Sequence, residues 1–196
     1  MNSEVRALVL AAGSSRRFGK QKLREKLPSG ITILDQTLNR IKTAVPDITV
    51  VTSVQVYENL QTQKEEFEIF KRATSGMRAT LSYGIRLIKT TDACLICLAD
   101  MPFIQASTYR RLASVLTPEN IVVPVYRGTQ GNPVGFGRRF FKELMQLNKD
   151  TGGHALLLRY SSLIHHVDVD DPAIFHDIDT PADLAKYVDT TSQQPT

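Results

Sequence analysis

The sequence predicts an α/β protein, a doubly wound and mostly parallel sheet with helices on both faces. Three observations lead there. Apolar strand-like runs alternate with helical patterns along the whole chain. The strongest runs are continuous rather than alternating, as expected of strands covered on both sides. The chain has 196 residues, 42% of them hydrophobic and 22% charged, which suits one domain with a real core. Residues 1–190 are expected to form that domain and 191–196 a polar tail.

Val5 to Ala12 reads as the first strand. Leu34 to Ala44 reads as a helix, with Leu34, Leu38 and Ile41 on one face. "DITVVTS" is a second strand, Tyr57 to Phe67 a helix with a polar outer face, and "EIFKRAT" a short edge strand. Ala79 to Lys89 aligns Leu81, Ile85 and Ile88 on one helical face. "ACLICLAD" is the most hydrophobic strand and is expected to be central. Gln105 to Leu116 is helical, "NIVVPVY" a strand, and "TQGNPVGFGRRF" a turn-rich loop entering a helix. Phe140 to Leu147 and His154 to Tyr160 read as short helices, and "LIHHVDVD" as a late strand. Thr180 opens the last helix as N-cap, with Pro181 at the first helical position and Asp183 at the third.

The net charge of +4 is scattered, with no basic stripe and no nucleic-acid-binding module. An anionic small substrate fits this balance, and no nucleic acid is expected as partner. The apolar run after Glu4 and Arg6 is too short for a signal peptide, and no stretch is long enough to cross a bilayer. The expectation is a cytoplasmic protein without a membrane partner. Cys94 and Cys97 form a C-x-x-C pair, but three positions apart on a strand they face opposite sides, which argues against a shared metal. His165, His166 and His176 lack the partners a zinc site needs.

In a doubly wound sheet, ligands bind beyond the carboxyl ends of the strands. Two loops qualify. After Ala12, the segment "GSSRRFGKQK" carries Arg16, Arg17, Lys20 and Lys22 between and beyond Gly13 and Gly19. Its backbone N–H groups and cations suit a polyphosphate; a solvated basic turn is the plain alternative. Five residues separate the glycines and Lys20-Gln21 follows, so neither the P-loop nor the dinucleotide pattern fits. After Leu98, Asp100 in "LADMP" is placed to hold a hard divalent cation, or else to serve as a turn or cap residue. Asp177 and Asp179 precede the last helix, where Asp179 is either structural or completes a metal site with Asp100. "NKDTGGHALL" ends in a helix start at Gly152 or Gly153 that can face an anion or simply connect.

Taken together, "LAAGSSRRFGKQK", "LADMP", "GNPVGF", "DTGGHALL" and "DIDTPADL" resemble, in order, the motifs of the molybdenum-cofactor nucleotidyltransferases. The first matches the pattern L-A-A-G-x-S-x-R-M-G-x-x-K, and the likeness spans residues 5 to 188. "AAG" resembles the cytidylyl branch. The resemblance implies a Rossmann-like three-layer α/β/α nucleotidyltransferase fold and an Mg²⁺-dependent transfer of CMP from CTP to molybdopterin. Leu10, Ala11, Ala12, Gly13, Ser15 and Gly19 would line the nucleotide, with Gly76 and Thr80 at the base pocket. Arg17 and Lys22 would neutralise phosphate charge, Asp100 would be catalytic and a metal ligand, and Asp179 a second ligand. Asn132, Pro133, Phe136 and His154 would face the acceptor. A molybdoenzyme or its chaperone is the implied protein partner. The sequence departs from the family at Phe18, Thr80, Ala99 and His154, which stand where methionine, serine, glycine and a basic residue are usual. Other readings kept open are guanylyl transfer, transfer to a sugar or polyol phosphate, and a non-catalytic cofactor carrier.

Overall fold

The computed structural model describes residues 4–13, 18–19, 21–58, 67–71, 76–147 and 153–191; of 153–155 and 187–191 it describes the backbone alone. The strands are β1 (Val5–Ala11), β2 (Ile48–Thr52), β3 (Phe67–Ile69), β4 (Ala93–Leu98), β5 (Ile121–Tyr126), β6 (Thr129–Gln130), β7 (Val134–Gly137) and β8 (Ile164–Asp168). The helices are α1 (Ile33–Lys42), α2 (Val54–Tyr57), α3 (Met77–Leu87), α4 (Ala106–Val115), α5 (Phe141–Met145), α6 (Gly153–Arg159) and α7 (Pro181–Thr191). No helix among the described residues is long and apolar enough to cross a membrane.

The eight strands form one sheet in the order β3-β2-β1-β4-β7-β5-β6, with β8 on β5. Pairs β1·β2, β1·β4, β2·β3 and β5·β8 are parallel, whereas β7 runs antiparallel to both β4 and β5. Successive side chains of β1 go to opposite faces, as a strand period of two requires. Ala7, Val9 and Ala11 join Ile33, Leu34, Leu38 and Ile41 of α1 and Leu112 of α4 in one core. Leu8 and Leu10 join Leu81 and Ile85 of α3 and Phe141 and Leu144 of α5 in the other. The expected three-layer α/β/α architecture is present. Cys97 lies in the first core and Cys94 in the second, both free thiols, on opposite faces as their spacing requires.

Most expected elements are found within two residues of their expected ends, and β4 is central. Of the helix expected over Tyr57 to Phe67, the structure holds the single turn α2 just upstream; Phe67 opens edge strand β3, and 59–66 lie outside the described residues. The larger difference is "TQGNPVGFGRRF". It enters a helix as expected, but not as a loop: it forms two strands, β6 and β7, and passes through a short 3-10 turn at Arg138–Phe140 into α5. Its glycines act through their lack of a side chain. A Cβ on Gly135 would sit about 3.0–3.1 Å from Leu116 and Leu95, and one on Gly137 would strike the Pro118 backbone. Glycine in a strand marks such close approach as well as a turn.

The topology fixes where a ligand can bind. From β1 the chain steps one way to β2 and β3, then returns to the other side of β1 as β4. This reversal is the switch point at which open α/β sheets leave a crevice beyond the carboxyl ends. Leu10 pairs with Leu98 in register, so the segments following β1 and β4 leave the sheet side by side.

Candidate active site

Three segments converge on that crevice. The first follows β1. Its described part is anchored by Phe18 and Leu23, both buried in the core under α1. A short 3-10 turn, Lys22–Arg24, is then tied to the start of α1: the Ile33 amide donates to the Glu25 carbonyl at 2.9 Å and the Leu27 amide to the Ile31 carbonyl at 2.8 Å. Thr32 caps α1 by accepting from the Asp35 amide at 3.1 Å. The Glu25 amide donates to the Lys22 carbonyl at 3.0 Å, so Lys22 opens a turn tied to α1, and its side chain reaches across the crevice.

The second segment follows β4. The Ala99 amide donates to the Leu10 carbonyl at 3.3 Å, and the Ala99 carbonyl accepts from the buried Thr37 hydroxyl at 3.0 Å. Asp100 is thereby fixed two residues beyond the end of β4. The third segment precedes α7. The Ile178 amide donates to the Asp100 carbonyl at 2.9 Å, and the Ile178 side chain is fully buried. With Ile178 turned inward, Asp177 and Asp179 on either side of it share the outer face, as alternation in an extended chain requires. The Asp183 carboxylate accepts from the Thr180 amide at 2.8 Å and from the Asp179 amide at 3.2 Å, joining this segment to the start of α7.

The side chains then meet. Lys22 Nζ donates to Asp100 Oδ2 at 2.6 Å and to Asp179 Oδ1 at 2.7 Å. Lys22 is only 7% exposed. Asp100, Asp177 and Asp179 each present a carboxylate oxygen within 4.8 Å of the others. Burial pulls the Lys22 pKa down, yet the Asp100 and Asp179 carboxylates outweigh it and leave the ammonium above the ordinary lysine value of 10.5. Burial pushes the Asp177 carboxyl above the usual aspartate value of 3.8, and the like charges of Asp179 and Asp100 act in the same direction. Among the described residues the cluster brings three acids and one lysine together.

Such a donor set fits a hard divalent cation. Carboxylate oxygens are its preferred ligands, and oxygens about 2.0–2.6 Å from one ion lie within about 4–5 Å of each other. The Lys22 ammonium already occupies the convergence point of two of these carboxylates, which shows that the position attracts positive charge. Asp177 was not singled out as a ligand from the sequence. The signal that could have found it is the alternation D-x-D in "HDIDT", which puts both carboxylates on one side.

The other expected residues are distributed around the same edge. Leu10 and Ala11 are buried in β1, leaving Ala12 half-buried and Gly13 exposed where the strand ends. Gly19 has φ +76°, a conformation that favours glycine. Ser15 and Arg17 lie outside the described residues. Gly76 caps α3 at φ +94°, and the Thr80 hydroxyl, buried at 2% exposure, donates to its carbonyl at 3.3 Å. Antiparallel β7 pairs Val134 with Ile96, so Asn132 and Pro133, joined by a cis peptide bond, come to the carboxyl edge beside β4. Phe136, two residues deeper, pairs with Cys94; it is 4% exposed and packs edge-on against Phe140. That gives Phe136 a core environment rather than a face toward a ligand. The side chain of His154 lies outside the description.

Comparison with known proteins agrees with this architecture. The family model described as the MobA-like NTP transferase domain matches residues 7–166. No curated protein sequence matches the chain. Among solved structures, Rv0371c from Mycobacterium tuberculosis H37Rv is similar at 23% identity, with 96% of this chain and 100% of that one covered and a TM-score of 0.83. A manganese complex of the same protein superposes at TM-score 0.79, with 22% identity over 96% of this chain and 100% of that one. The 4-diphosphocytidyl-2C-methyl-D-erythritol synthase of Anaerococcus prevotii is similar at 12% identity, 98% and 100% coverage and TM-score 0.76. Molybdopterin-guanine dinucleotide biosynthesis protein A of Archaeoglobus fulgidus is similar at 18% identity, 96% and 100% coverage and TM-score 0.68. A crevice at the switch point, an acid cluster joined by a lysine, and a family match over most of the chain agree: this chain belongs to the MobA-like NTP transferase domain family.

Proposed function

We propose that the protein is a cytoplasmic cytidylyltransferase that moves CMP from CTP to the terminal phosphate of a molybdopterin-type acceptor and releases pyrophosphate. An acceptor phosphate oxygen attacks the α-phosphorus in line; the bond from that phosphorus to the β-bridging oxygen breaks, and pyrophosphate leaves with the electron pair. No covalent enzyme intermediate is required, so the protein acts by positioning and charge neutralisation. The observation that carries this reading is the convergence of Lys22, Asp100 and Asp179 at the switch-point crevice.

In this reading Lys22 and Arg17 neutralise triphosphate oxygens, and the backbone from Leu10 through Gly13, with Ser15 and Gly19, lies along the nucleotide. Gly76 and Thr80 shape the base pocket through the start of α3. Asn132 and Pro133, with His154, orient the acceptor; the core environment of Phe136 limits it to supporting them. Asp100 and Asp179, with Asp177, would hold a divalent cation, Mg²⁺ in the cell, whose charge offsets that of the phosphates when bound. Residues 1–190 act as one catalytic unit. The nucleotide preference rests on "AAG" in the first loop and on the likeness to a cytidyl-transferring fold neighbour.

The test is pyrophosphate release with each of four NTPs, with and without molybdopterin, in the presence of Mg²⁺. Release that requires molybdopterin and is fastest with CTP is expected. GTP preference would make the protein a guanylyltransferase. Release with a sugar phosphate and none with molybdopterin would overturn the acceptor, and binding of molybdopterin with no release would mark a carrier.

A further inference from the structure

Lys22 sits where a second cation is also expected. Its ammonium lies 2.6 Å from Asp100 and 2.7 Å from Asp179, two of the three carboxylates that converge there. We propose that Lys22 is an exchangeable internal cation: it holds the carboxylates together in the metal-free protein, yields them when a divalent cation enters, and turns to the triphosphate. The proposal rests on the metal-centre reading above and deepens it, because it makes cation and nucleotide binding cooperative through one side chain.

Two features support exchange over a fixed structural pair. Asp177 makes no ion pair among the described residues, so Lys22 satisfies only part of the cluster. Finally, the residue is a lysine. Its compact charge rides on a flexible four-carbon stem, whereas an arginine fork would be committed to one bidentate geometry. The turn that Lys22 begins is tied to the start of α1, so the stem alone can carry the charge from one wall of the crevice toward bound phosphate.

The test measures Mn²⁺ binding by the electron paramagnetic resonance signal of the free ion, for the wild type, Lys22→Met and Asp100→Asn. Each is titrated with and without a CTP analogue bridged by methylene between its α- and β-phosphorus atoms. Lys22→Met is expected to bind Mn²⁺ on the order of tenfold more tightly without nucleotide, because a competitor is gone. The analogue is expected to tighten Mn²⁺ binding in the wild type and to do so much less in Lys22→Met. A second readout needs no variant: acetylation of Lys22 in the wild type, quantified by peptide mass spectrometry, is expected to rise on adding Mn²⁺ and fall again with the analogue. Equal or weaker Mn²⁺ binding by a folded Lys22→Met, or Lys22 acetylation indifferent to Mn²⁺, overturns the exchange. If the wild type binds no Mn²⁺, or Asp100→Asn binds it as the wild type does, the metal-centre reading falls first and the exchange with it.

Discussion

Asp171 and Asp179 lie eight positions apart on one connecting segment, and the protein treats them in opposite ways. Asp171 is 2% exposed, and every donor near it is fixed. It accepts from the Gln105 amide at 2.9 Å, the Thr108 hydroxyl at 2.6 Å and the Ala173 amide at 3.1 Å. These bonds join the start of α4 to the turn at Pro172–Phe175. Asp179 faces two other acids across a partly open crevice, with Lys22 bridging it to Asp100. A carboxylate met by fixed dipoles is held for stability. Carboxylates crowded together cost stability and are arranged to take a cation.

Asp100→Asn is expected to lower kcat/KM by about three orders of magnitude, about 4 kcal/mol of transition-state stabilisation, with Tm within about 2 °C of wild type. Steady-state kinetics and a melting curve on one preparation check both halves. Asp171→Ala is expected to do the reverse. It strands the Thr108 hydroxyl and the Ala173 N–H in the interior, lowering stability by about 3 kcal/mol in a urea melt with divalent-cation affinity unchanged. A large loss of cation affinity there would erase the distinction between the two aspartates.

The raised folded pKa of Lys22 means that its contribution is full below the ordinary value of 10.5 and is lost as pH rises through the folded value. The Tm difference between wild type and Lys22→Met is therefore expected to be constant at neutral pH and to shrink above pH 10.5. The smallest effect is expected at Asp177. Relief of like-charge crowding in Asp177→Asn should raise Tm by no more than about 2 °C, because solvent screens the exposed carboxylate. Mn²⁺ affinity should fall at the same time, and a rise in both would remove Asp177 from the cluster.

Much of this was legible in the sequence because it rests on local patterns. The continuous apolar runs of β1 and β4 define buried central strands, and Thr180, Pro181 and Asp183 announce the start of α7. The β6–β7 region was not legible, because Gly135 and Gly137 carry the composition of a turn while serving close packing against Leu116 and Pro118. Asp100 and Lys22 stood out by position and by motif, but their direct ion pair did not. It joins residues 78 apart in the chain, and no local period encodes it. The burial of Phe136 is hidden for a related reason: the motif around it lies at the crevice edge, while strand alternation turns its ring into the core.

The most direct test is a crystal structure with CTP and Mn²⁺, located by anomalous scattering. One manganese peak bound by Asp100 and Asp179 is expected, with the triphosphate in the same crevice and Lys22 against its oxygens. Manganese and nucleotide in separate clefts, or Asp100 turned away from both, would contradict this arrangement.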